Sequence, residues 1–282
     1  MSLRDMQLNT EQPDEIKRQK GEFWSAPGAA DSYERNVFSK SGVVQIKNWV
    51  ELTLVLRHAE GRILDAGTGT GRFAIPLAKI NGNSVVALDY SHEMLDLNQR
   101  LSAAQGIRSI EYMQGDVEHL PFKDNEFDSV VSITVVRHFP QWRAILDEYI
   151  RVVRPGGKII FEMCSGDHIN AANRLVKRFG AKFRKDGFLS YEAEIPFDEL
   201  RQWLEAHGVD VLERHTYDFL NSNCFLKIIT INDLGYRIFL RAIRLVLSIR
   251  PLQRLIAWME LNVLAGLPTA CSYNYMVVGR KR

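Results

Sequence analysis

Residues 63–71 read ILDAGTGTG, an apolar run that passes directly into three alternating glycines. The apolar run predicts a buried β-strand, and the periodic sequence that follows predicts a helix. A glycine turn at the end of a strand lets the backbone approach a ligand closely, because glycine has no Cβ and accepts positive φ. The first turn of the following helix offers unpaired N–H groups. This stretch therefore predicts a ligand site at the carboxyl end of a strand.

The spacing of the glycines separates this turn from two other glycine-rich loops. A G-x-G-x-x-G dinucleotide turn that begins at Gly67 needs a glycine at position 72, where the chain has Arg72. The third glycine comes one residue earlier, at Gly71. A phosphate-binding P-loop is also excluded, because no Gly-Lys-Ser/Thr follows.

The sequence around the turn alternates short β-branched runs with longer helical patterns. The predicted strands are 62–66, 84–89, 109–114, 127–133 and 157–164. The predicted helices between them are 71–80, 91–105 and 140–153, the second of which has Ser91 as its N-cap. This alternation predicts a doubly wound α/β fold, with a parallel sheet covered on both faces.

The remaining sequence predicts additions to this core. A helix at 197–207 leads into a strand at 209–219, and a last strand-like run covers 272–278. The interval 220–270 is too long for a hairpin loop, so we expect an inserted helical element there. The predicted organisation is an N-terminal helical segment at 1–50, a core at 51–219 plus 271–282 with an insertion at 165–195, and a helical cap at 220–270.

Composition limits the classes of partner. The 36 basic and 34 acidic side chains give a formal charge of +2, too balanced for a dedicated nucleic-acid binder. The cysteines Cys164, Cys224 and Cys271 are far apart, so neither a metal site nor a disulfide framework is expected. Residues 1–20 lack the apolar core of a secretory signal, and no run reaches the roughly 18 apolar residues of a membrane span. The prediction is a cytoplasmic protein.

Two carboxylates follow the next two predicted strands. Asp89 ends the run VVALD about 20 residues after Gly67, a separation at which an acidic residue binds ribose hydroxyls. Asp89 alone would be interpreted as a turn residue before Ser91, but the glycine turn at this separation favours ribose binding. Asp116, after the third strand, is suited to an exocyclic amine such as that of adenine. A loop aspartate bonded to its own backbone is an equally good interpretation of Asp116 alone.

Five motifs follow one another over about residues 62–161: ILDAGTGTG, VVALD, QGDVEHLPF, FDSVVSITVVRHF and RVVRPGGKIIF. In this order they resemble the successive motifs of class I S-adenosylmethionine-dependent methyltransferases. The resemblance implies S-adenosylmethionine as cofactor. It also implies a Rossmann-like sheet of seven mostly parallel strands with a helical cap from insertions. In that sheet the last strand, 272–278, is antiparallel and lies between 157–164 and 209–219.

The resemblance further implies which residues meet the two ends of the cofactor. Asp65, Gly67 and Gly69 would lie along its methionine part. The backbone near Ile133 and Thr134 would face the methionine amine.

The adenosine end would be held by later motifs. Asp89 would bind the ribose hydroxyls, and Asp116 would bond the adenine amino group with the backbone of Val117 beside it. Tyr90 and Met94 would flank the adenine ring. The full predicted cofactor set is Tyr33, Asp65, Ala66, Gly67, Thr68, Gly69, Gly71, Asp89, Tyr90, Met94, Asp116, Val117, Ile133 and Thr134.

Residues 23–35 resemble the helix that family members fold over the cofactor. Tyr33 would then contact the methionine carboxylate or the acceptor. The alternative for Tyr33 is an aromatic ring that only packs, because aromatic burial is strongly stabilising.

Residues 134–139, TVVRHF, distinguish branches of the family. They lack the Asn/Asp-Pro-Pro-aromatic run of nucleobase or amide N-methylators and the cysteine of the RNA cytosine-C5 type. They resemble the small-molecule branch, which implies in-line methyl transfer to an O, N or C atom, with positioning as the main requirement. His138 is the candidate general base, because a neutral imidazole near pH 7 accepts a hydroxyl proton. A packing or capping histidine is the alternative.

The acceptor is expected to be small and partly apolar. Specificity in such folds lies in loops and insertions, and the predicted ones are rich in large apolar side chains. These include Phe219, Phe225, Tyr236, Phe239 and Trp258. Packing of the same residues within the cap is the alternative.

Residues 236–249 support a second prediction. Arg237, Arg241 and Arg244 fall on one side of the predicted helix. The segment 236–263 would then lie on a membrane surface, and the enzyme would be a membrane-peripheral lipid or quinone methyltransferase. A non-catalytic protein that only binds S-adenosylmethionine is the third alternative.

Overall fold

The sheet is built from strands whose alternate residues are buried on opposite faces. The computed structural model describes residues 13–39, 41–169, 171, 192–219, 247 and 249–282. In β2, Val86 and Leu88 pack on one side, while Val85 and Ala87 pack on the other. Burial on both faces is typical of a parallel sheet covered by helices.

Within the described residues the strands are β1 (Arg62–Ala66), β2 (Ser84–Asp89), β3 (Ile110–Gln114), β4 (Phe127–Ser132), β5 (Val153–Ser165), β6 (Glu194–Ile195), β7 (Val209–Tyr217) and β8 (Asn274–Lys281). Their order in the sheet is β3-β2-β1-β4-β5-β8-β7, and β6 pairs with β5. β8 is antiparallel to both β5 and β7, as the resemblance implied. The short β6 is an addition to the seven predicted strands, because two residues are too few to carry a period-two pattern.

The α-helices of the described residues are α1 (Pro13–Trp24), α2 (Ala29–Val37), α3 (Gly42–His58), α4 (Ala74–Ala78), α5 (His92–Ala104), α6 (Trp142–Val152), α7 (Phe197–Ala206) and α8 (Arg250–Asn262). Helices α6 and α7 pack on one face of the sheet. Helices α3, α4 and α8 pack on the other. α3 runs continuously through the predicted domain boundary between positions 50 and 51.

Two predicted elements differ in extent from the structure. α4 is shorter than the predicted helix 71–80, because residues up to Phe73 continue the glycine turn. β5 begins at Val153 rather than at 157, and its register to β4 shifts before Lys158. A glycine with φ of +79°, Gly156, lies within this irregular stretch.

Part of the predicted cap falls outside the described residues. This holds for 220–246, with Phe225, Tyr236, Phe239 and the three arginines, and for most of the 165–195 insertion. Among the described helices, none is both long enough and apolar enough to cross a bilayer.

Candidate functional site

The glycine turn is tied to the neighbouring strand by its backbone. The N–H groups of Gly67 and Thr68 both donate to the carbonyl oxygen of Leu88, over 2.8 and 2.9 Å. Gly67 has φ of +75° and Gly69 has φ of +54°. A Cβ on Gly67 would lie 2.4 Å from Cγ2 of Val135, so a larger residue is excluded there by both conformation and contact.

A buried polar chain supports the turn from behind. The Thr68 hydroxyl donates to the Asp65 carboxylate over 2.7 Å and accepts from the Asn98 amide over 3.3 Å. Burial raises the pKa of Asp65 to about 6. A Cβ on Gly71 would lie 2.2 Å from Oδ1 of Asn98, which explains the third glycine.

One cavity of about 360 Å³ opens beside the turn. Its wall contains ten of the predicted cofactor residues: Tyr33, Gly67, Gly69, Asp89, Tyr90, Met94, Asp116, Val117, Ile133 and Thr134. The predicted base, His138, also lines it. Its volume lies in the range of small-molecule sites, roughly 300–1,000 Å³.

Four predicted cofactor residues lie behind this wall, namely Asp65, Ala66, Thr68 and Gly71. The carbonyl of Ala66 accepts a hydrogen bond from the hydroxyl of Ser132 over 3.1 Å. These residues shape the turn and are not among those that line the cavity, so their predicted contact with the cofactor stays a prediction. The motif pattern groups residues by sequence and does not show which side chains turn inward.

Asp89 is fixed at the end of β2. Its Oδ2 accepts the N–H of Gly69 over 2.8 Å, and its Oδ1 accepts the N–H of Ser91 over 2.9 Å. Ser91 in turn caps α5 by accepting the N–H of Met94, as predicted. Burial raises the pKa of Asp89. The backbone of Tyr90 also hydrogen-bonds to this carboxylate. A carboxylate accepts about four hydrogen bonds, so Asp89 retains acceptor capacity for a hydroxyl of a vicinal diol.

The first helix forms the opposite wall of the cavity, which the sequence analysis did not predict. The lining residues from α1 are Asp14, Lys17, Arg18, Lys20, Gly21 and Trp24. The Lys17 ammonium lies 2.6 Å from Oδ2 of Asp116 and 2.6 Å from Oε2 of Glu118. Oδ1 of Asp116 accepts the N–H of Glu118 over 3.0 Å. The only sequence signal for this packing is the i, i+4 spacing of the buried Ile16 and Lys20.

Aromatic contacts place both N-terminal helices over the turn. The Trp24 and Tyr33 rings meet edge to face, with centroids 5.7 Å apart. Cε1 of Tyr33 is 3.3 Å from where a Cβ on Gly69 would lie. A Cβ on Gly21 would lie 3.1 Å from the Tyr90 ring. A ligand in the cavity is therefore covered by α1 and α2.

We expect Lys17→Met to accelerate cofactor dissociation about 3- to 10-fold. The substitution removes a partly buried ion pair that contributes on the order of 1 kcal/mol to holding α1 over the cavity. Dissociation is measured by chasing bound, radiolabelled S-adenosylmethionine with excess S-adenosylhomocysteine and following the loss of bound label. Lys17→Arg keeps the charge and serves as the control. Equal dissociation rates for all three proteins would show that Lys17 does not hold the helix closed.

Behind Thr134 lies a buried charged cluster that the sequence analysis also missed. Thr134 has φ of +63°, an uncommon conformation for a β-branched residue. Its hydroxyl donates to Oε2 of Glu162 over 2.8 Å. Oε1 of Glu162 is 3.2 Å from Arg137 and 3.4 Å from Lys47. Burial alone would raise the pKa of Glu162, but these two cations outweigh it and hold the pKa well below its ordinary value.

The cluster continues on both sides of Glu162. Arg137 also pairs with Glu192, over 2.5 Å. Lys47 is 3.5 Å from Glu51, which accepts from Arg72 over 2.5 Å. No motif signals these pairs, because their members come from α3, the glycine turn, β5 and the loops between.

His138 lines the same cavity as Asp89. Its Nδ1 is buried and has no hydrogen-bond partner among the described residues. Burial, with the positive charges of Lys20 and Arg137, holds the pKa of His138 well below its ordinary value. The imidazole is therefore neutral at physiological pH, and it retains a proton poorly.

The donors and acceptors of the cavity fit an adenosyl amino acid. Asp89 offers two acceptor oxygens for a ribose diol, and Asp116 offers a carboxylate for an amino group. Between them, the buried side chains of Met94 and Val117 give an apolar wall for a flat ring.

Comparison with known proteins agrees with this arrangement. Residues 64–161 match the model of the methyltransferase domain family. An uncharacterised protein of Mycobacterium bovis is 40% identical over 98 residues, 35% of each chain. Demethylmenaquinone methyltransferase of Bacillus subtilis is 35% identical over 120 residues, 41% of this chain and 52% of that one. The chain thus covers between about a third and a half of the length of these curated relatives.

Solved structures share the fold over most of the chain. Magnesium protoporphyrin IX methyltransferase from Synechocystis, solved with bound S-adenosylhomocysteine, aligns with a TM-score of 0.60 at 14% identity. The alignment covers 94% of this chain and 100% of that one. A possible histamine N-methyltransferase from Thermotoga maritima gives 0.56 at 18% identity, covering 89% and 95%.

The family model covers the strands and turns from Leu64 to Phe161. The sheet order, including the last antiparallel strand, is also the one that the motif resemblance implied. The cavity between the glycine turn and Asp116 fits the cofactor of that family. Residues 64–161 thus form a methyltransferase domain, and the motifs and sheet order of the chain resemble those of the class I S-adenosylmethionine-dependent methyltransferases.

Proposed function

We propose that this protein transfers the methyl group of S-adenosylmethionine to a small acceptor with an apolar part. The observation that carries the proposal is the extent of the cavity. Besides the predicted cofactor residues, which form one part of its wall, a second and mainly apolar part contains Val135, His138, Phe139 and Trp24. A protein that only bound the cofactor would have no use for this second, mainly apolar part.

The protein's own residues position the two reactants. The cofactor supplies a methyl group already activated on a sulfonium. Asp89 would hold the ribose hydroxyls, and Asp116 would accept a hydrogen bond from the adenine amino group. Thr134, whose hydroxyl donates to Glu162, would place its backbone beside the methionine amine. Helices α1 and α2 cover the cavity and exclude water, which strengthens these polar contacts.

We assign His138 a hydrogen-bonding role rather than that of a strong general base. A neutral imidazole accepts or donates one hydrogen bond, but its low pKa disfavours the protonated form that base catalysis requires. We expect His138→Gln to lower kcat by orienting the acceptor poorly. An unchanged kcat across pH 6–9 would leave His138 with a packing role only.

Binding and turnover test the proposal. Isothermal titration with S-adenosylmethionine is expected to show one site. Labelled cofactor incubated with a fractionated metabolite extract is expected to give S-adenosylhomocysteine and a labelled product that partitions into organic solvent. Transfer to hydrophilic acceptors only contradicts the apolar acceptor, and binding without any turnover favours the non-catalytic alternative.

A second candidate is methylation of an acceptor held in a membrane. α8 and the residues after it expose Leu255, Trp258, Met259 and Val263, of which Trp258 is 55% exposed. Arg250 and Arg254 are exposed on the same helix. The only acid between 249 and 268, Glu260, is buried. A basic and apolar face with no exposed carboxylate matches an anionic bilayer surface.

The relatives give this candidate further support. Demethylmenaquinone methyltransferase is named for an apolar quinone acceptor. Sedimentation with vesicles of phosphatidylglycerol is expected to carry the protein down, and Trp258→Ser is expected to reduce the bound fraction. Leu212→Ser, at a site on β7 that is 47% exposed, is the control. Two results would contradict membrane docking: equal sedimentation with neutral vesicles, or a bound fraction that is unchanged in Trp258→Ser.

A further inference from the structure

A second, polar pocket lies between α3 and α8. Its volume is about 350 Å³, and its described lining residues are Gln45, Ile46 and Trp49 from α3 and Arg250, Gln253 and Arg254 from α8. It shares none of these residues with the cavity beside the glycine turn. Two of them are cations and none is an acid, so the potential in this pocket favours an anion.

The charges of the two arginines are not balanced by nearby acids. Within the described part of the chain, neither the Arg250 nor the Arg254 side chain makes an ion pair or a hydrogen bond, and both are exposed. Glu260, the only acid of α8, is buried and accepts the N–H groups of Asp218 and Phe219 instead. The arginines are four residues apart, and like charges at this spacing destabilise a helix. An anion bound between them would remove that repulsion.

The arginines lie at the edge of the exposed apolar face of α8, which consists of Leu255, Trp258 and Met259. Successive residues of an α-helix are rotated by about 100°. Around the helix, Arg254 therefore lies between the buried Ala257 and the exposed Trp258. An arginine at such an edge covers apolar surface with its stem while its guanidinium stays in the polar layer. This is the position of a cation at the headgroup level of a bilayer.

The pocket and the apolar face together fit a phosphate that carries apolar chains. Guanidinium groups bind phosphate oxygens through paired, charge-assisted hydrogen bonds. The exposed amide of Gln45 can donate one more, whereas the amide of Gln253 already donates to the carbonyl of Leu247 over 2.6 Å. A free phosphate would use the pocket alone and leave Trp258 in water. A phospholipid would use the pocket and cover the apolar face as well.

We propose that Arg250, Arg254 and Gln45 bind the phosphate of an anionic phospholipid, whose acyl chains lie against the exposed apolar face of α8. This inference rests on the second candidate of the proposed function, docking to a membrane, and adds a specific headgroup site to it. It does not depend on the identity of the methyl acceptor. The site holds the protein at the surface of the bilayer through one defined lipid rather than through the average surface charge.

A short-chain phospholipid below its critical micelle concentration tests the site without a bilayer. Isothermal titration with dihexanoyl phosphatidylglycerol is expected to show one binding site. Dihexanoyl phosphatidylcholine, whose choline cation would face the arginines, is expected to bind at least about fivefold more weakly. Dihexanoylglycerol lacks the phosphate and inorganic phosphate lacks the chains, so each is expected to bind at least about tenfold more weakly.

Variants assign the effect to the arginines. Arg254→Gln is expected to lower the affinity for dihexanoyl phosphatidylglycerol about 5- to 20-fold, and Arg250→Gln is expected to act in the same direction. Arg254→Lys should lose less, because it keeps the charge but not the paired hydrogen bonds. Arg108→Gln, at an exposed arginine outside the pocket, is the control. Because the pocket arginines are exposed, we expect the variants to unfold at the wild-type temperature.

Three outcomes would overturn the proposal. Inorganic phosphate that binds as tightly as the lipid would show a free-phosphate site, and dihexanoylglycerol that binds as tightly would show an apolar surface alone. Unchanged affinity in both glutamine variants would remove the arginines from the site.

Two further measurements separate this proposal from those on which it stands. Vesicles of phosphatidylglycerol that sediment the wild type and both glutamine variants equally would leave membrane docking intact and contradict the headgroup site. Affinity for S-adenosylmethionine is measured in the same samples. Loss of that affinity in the wild type argues against methyl transfer, whereas intact cofactor affinity without lipid binding argues only against the headgroup site.

Discussion

Asp89→Asn is expected to raise the dissociation constant of S-adenosylmethionine at least about 100-fold. Hydrogen bonds to a charged group contribute roughly 1.5–3 kcal/mol each, and the carboxylate is placed to accept two from the ribose. In the variant, the asparagine amide group would also face a backbone N–H, either that of Gly69 or that of Ser91, so that two hydrogen-bond donors would lie against each other. The variant therefore loses cofactor contacts and loosens the turn.

Isothermal titration of wild type and variant measures this effect. Asp96→Asn is the matched control, because Asp96 is an exposed acid on α5 that does not line the cavity. A dissociation constant for Asp89→Asn within about threefold of the wild-type value would show that this carboxylate does not bind the ribose. The main cofactor contact that we assign would then be wrong.

Glu162→Gln is expected to lower the free energy of unfolding at pH 7 by about 3–5 kcal/mol. Removing one charge from a buried ion-pair cluster leaves its partners uncompensated, here Lys47 and Arg137. Glu162 is completely buried, so water cannot replace it. The variant also weakens the contact that holds Thr134 at positive φ, so cofactor affinity should fall as well.

The effect of Glu162 depends on pH with a definite sign. The folded pKa of this acid is held below its unfolded value of about 4.3, so its stabilisation is complete above that value. The stabilisation is lost as the pH falls toward the folded pKa. The difference between wild type and Glu162→Gln should therefore shrink below about pH 4.

Urea unfolding at pH 7 and at several lower pH values gives the measurement. Glu199→Gln is the control, because Glu199 pairs with Arg143 on the surface, where each side chain is about half exposed. Such a pair contributes less than about 1 kcal/mol. Equal stabilities of the two variants at pH 7 would show that the cluster is not a major source of stability.

Local sequence was sufficient for the core of the fold. The run 63–71 predicted a strand, a turn and a helix, and the strands after it lie within a few residues of their predicted bounds. These predictions succeed because buried parallel strands are continuous apolar runs and their turns require glycine. The antiparallel β8 came from the family resemblance rather than from periodicity, since pattern does not reveal strand order.

The candidate site was predictable where a residue follows a strand. Asp89, Asp116 and Thr134 lie at strand ends, so the sheet itself brings them to one edge. Asp65 and Thr68 were placed in the same set because they belong to the same motif. The structure turns them beneath the glycine turn, where they bond one another.

The contributions of α1 and of the buried cluster arise from contacts between residues that are distant in sequence. Lys17 and Asp116 are 2.6 Å apart in the structure although about a third of the chain separates them. Lys20, in the polar first helix, has the composition of a solvated surface residue, yet it is buried against the cavity.

The glycine turn and the carboxylates at strand ends follow from the amino-acid sequence, because each depends on backbone conformation and strand periodicity within a few residues. Which charges pair, which side chains face the cavity and which helix covers it depend on chain segments meeting across the sheet. Those contacts exist only in the folded molecule, where burial changes the free energy of each charge.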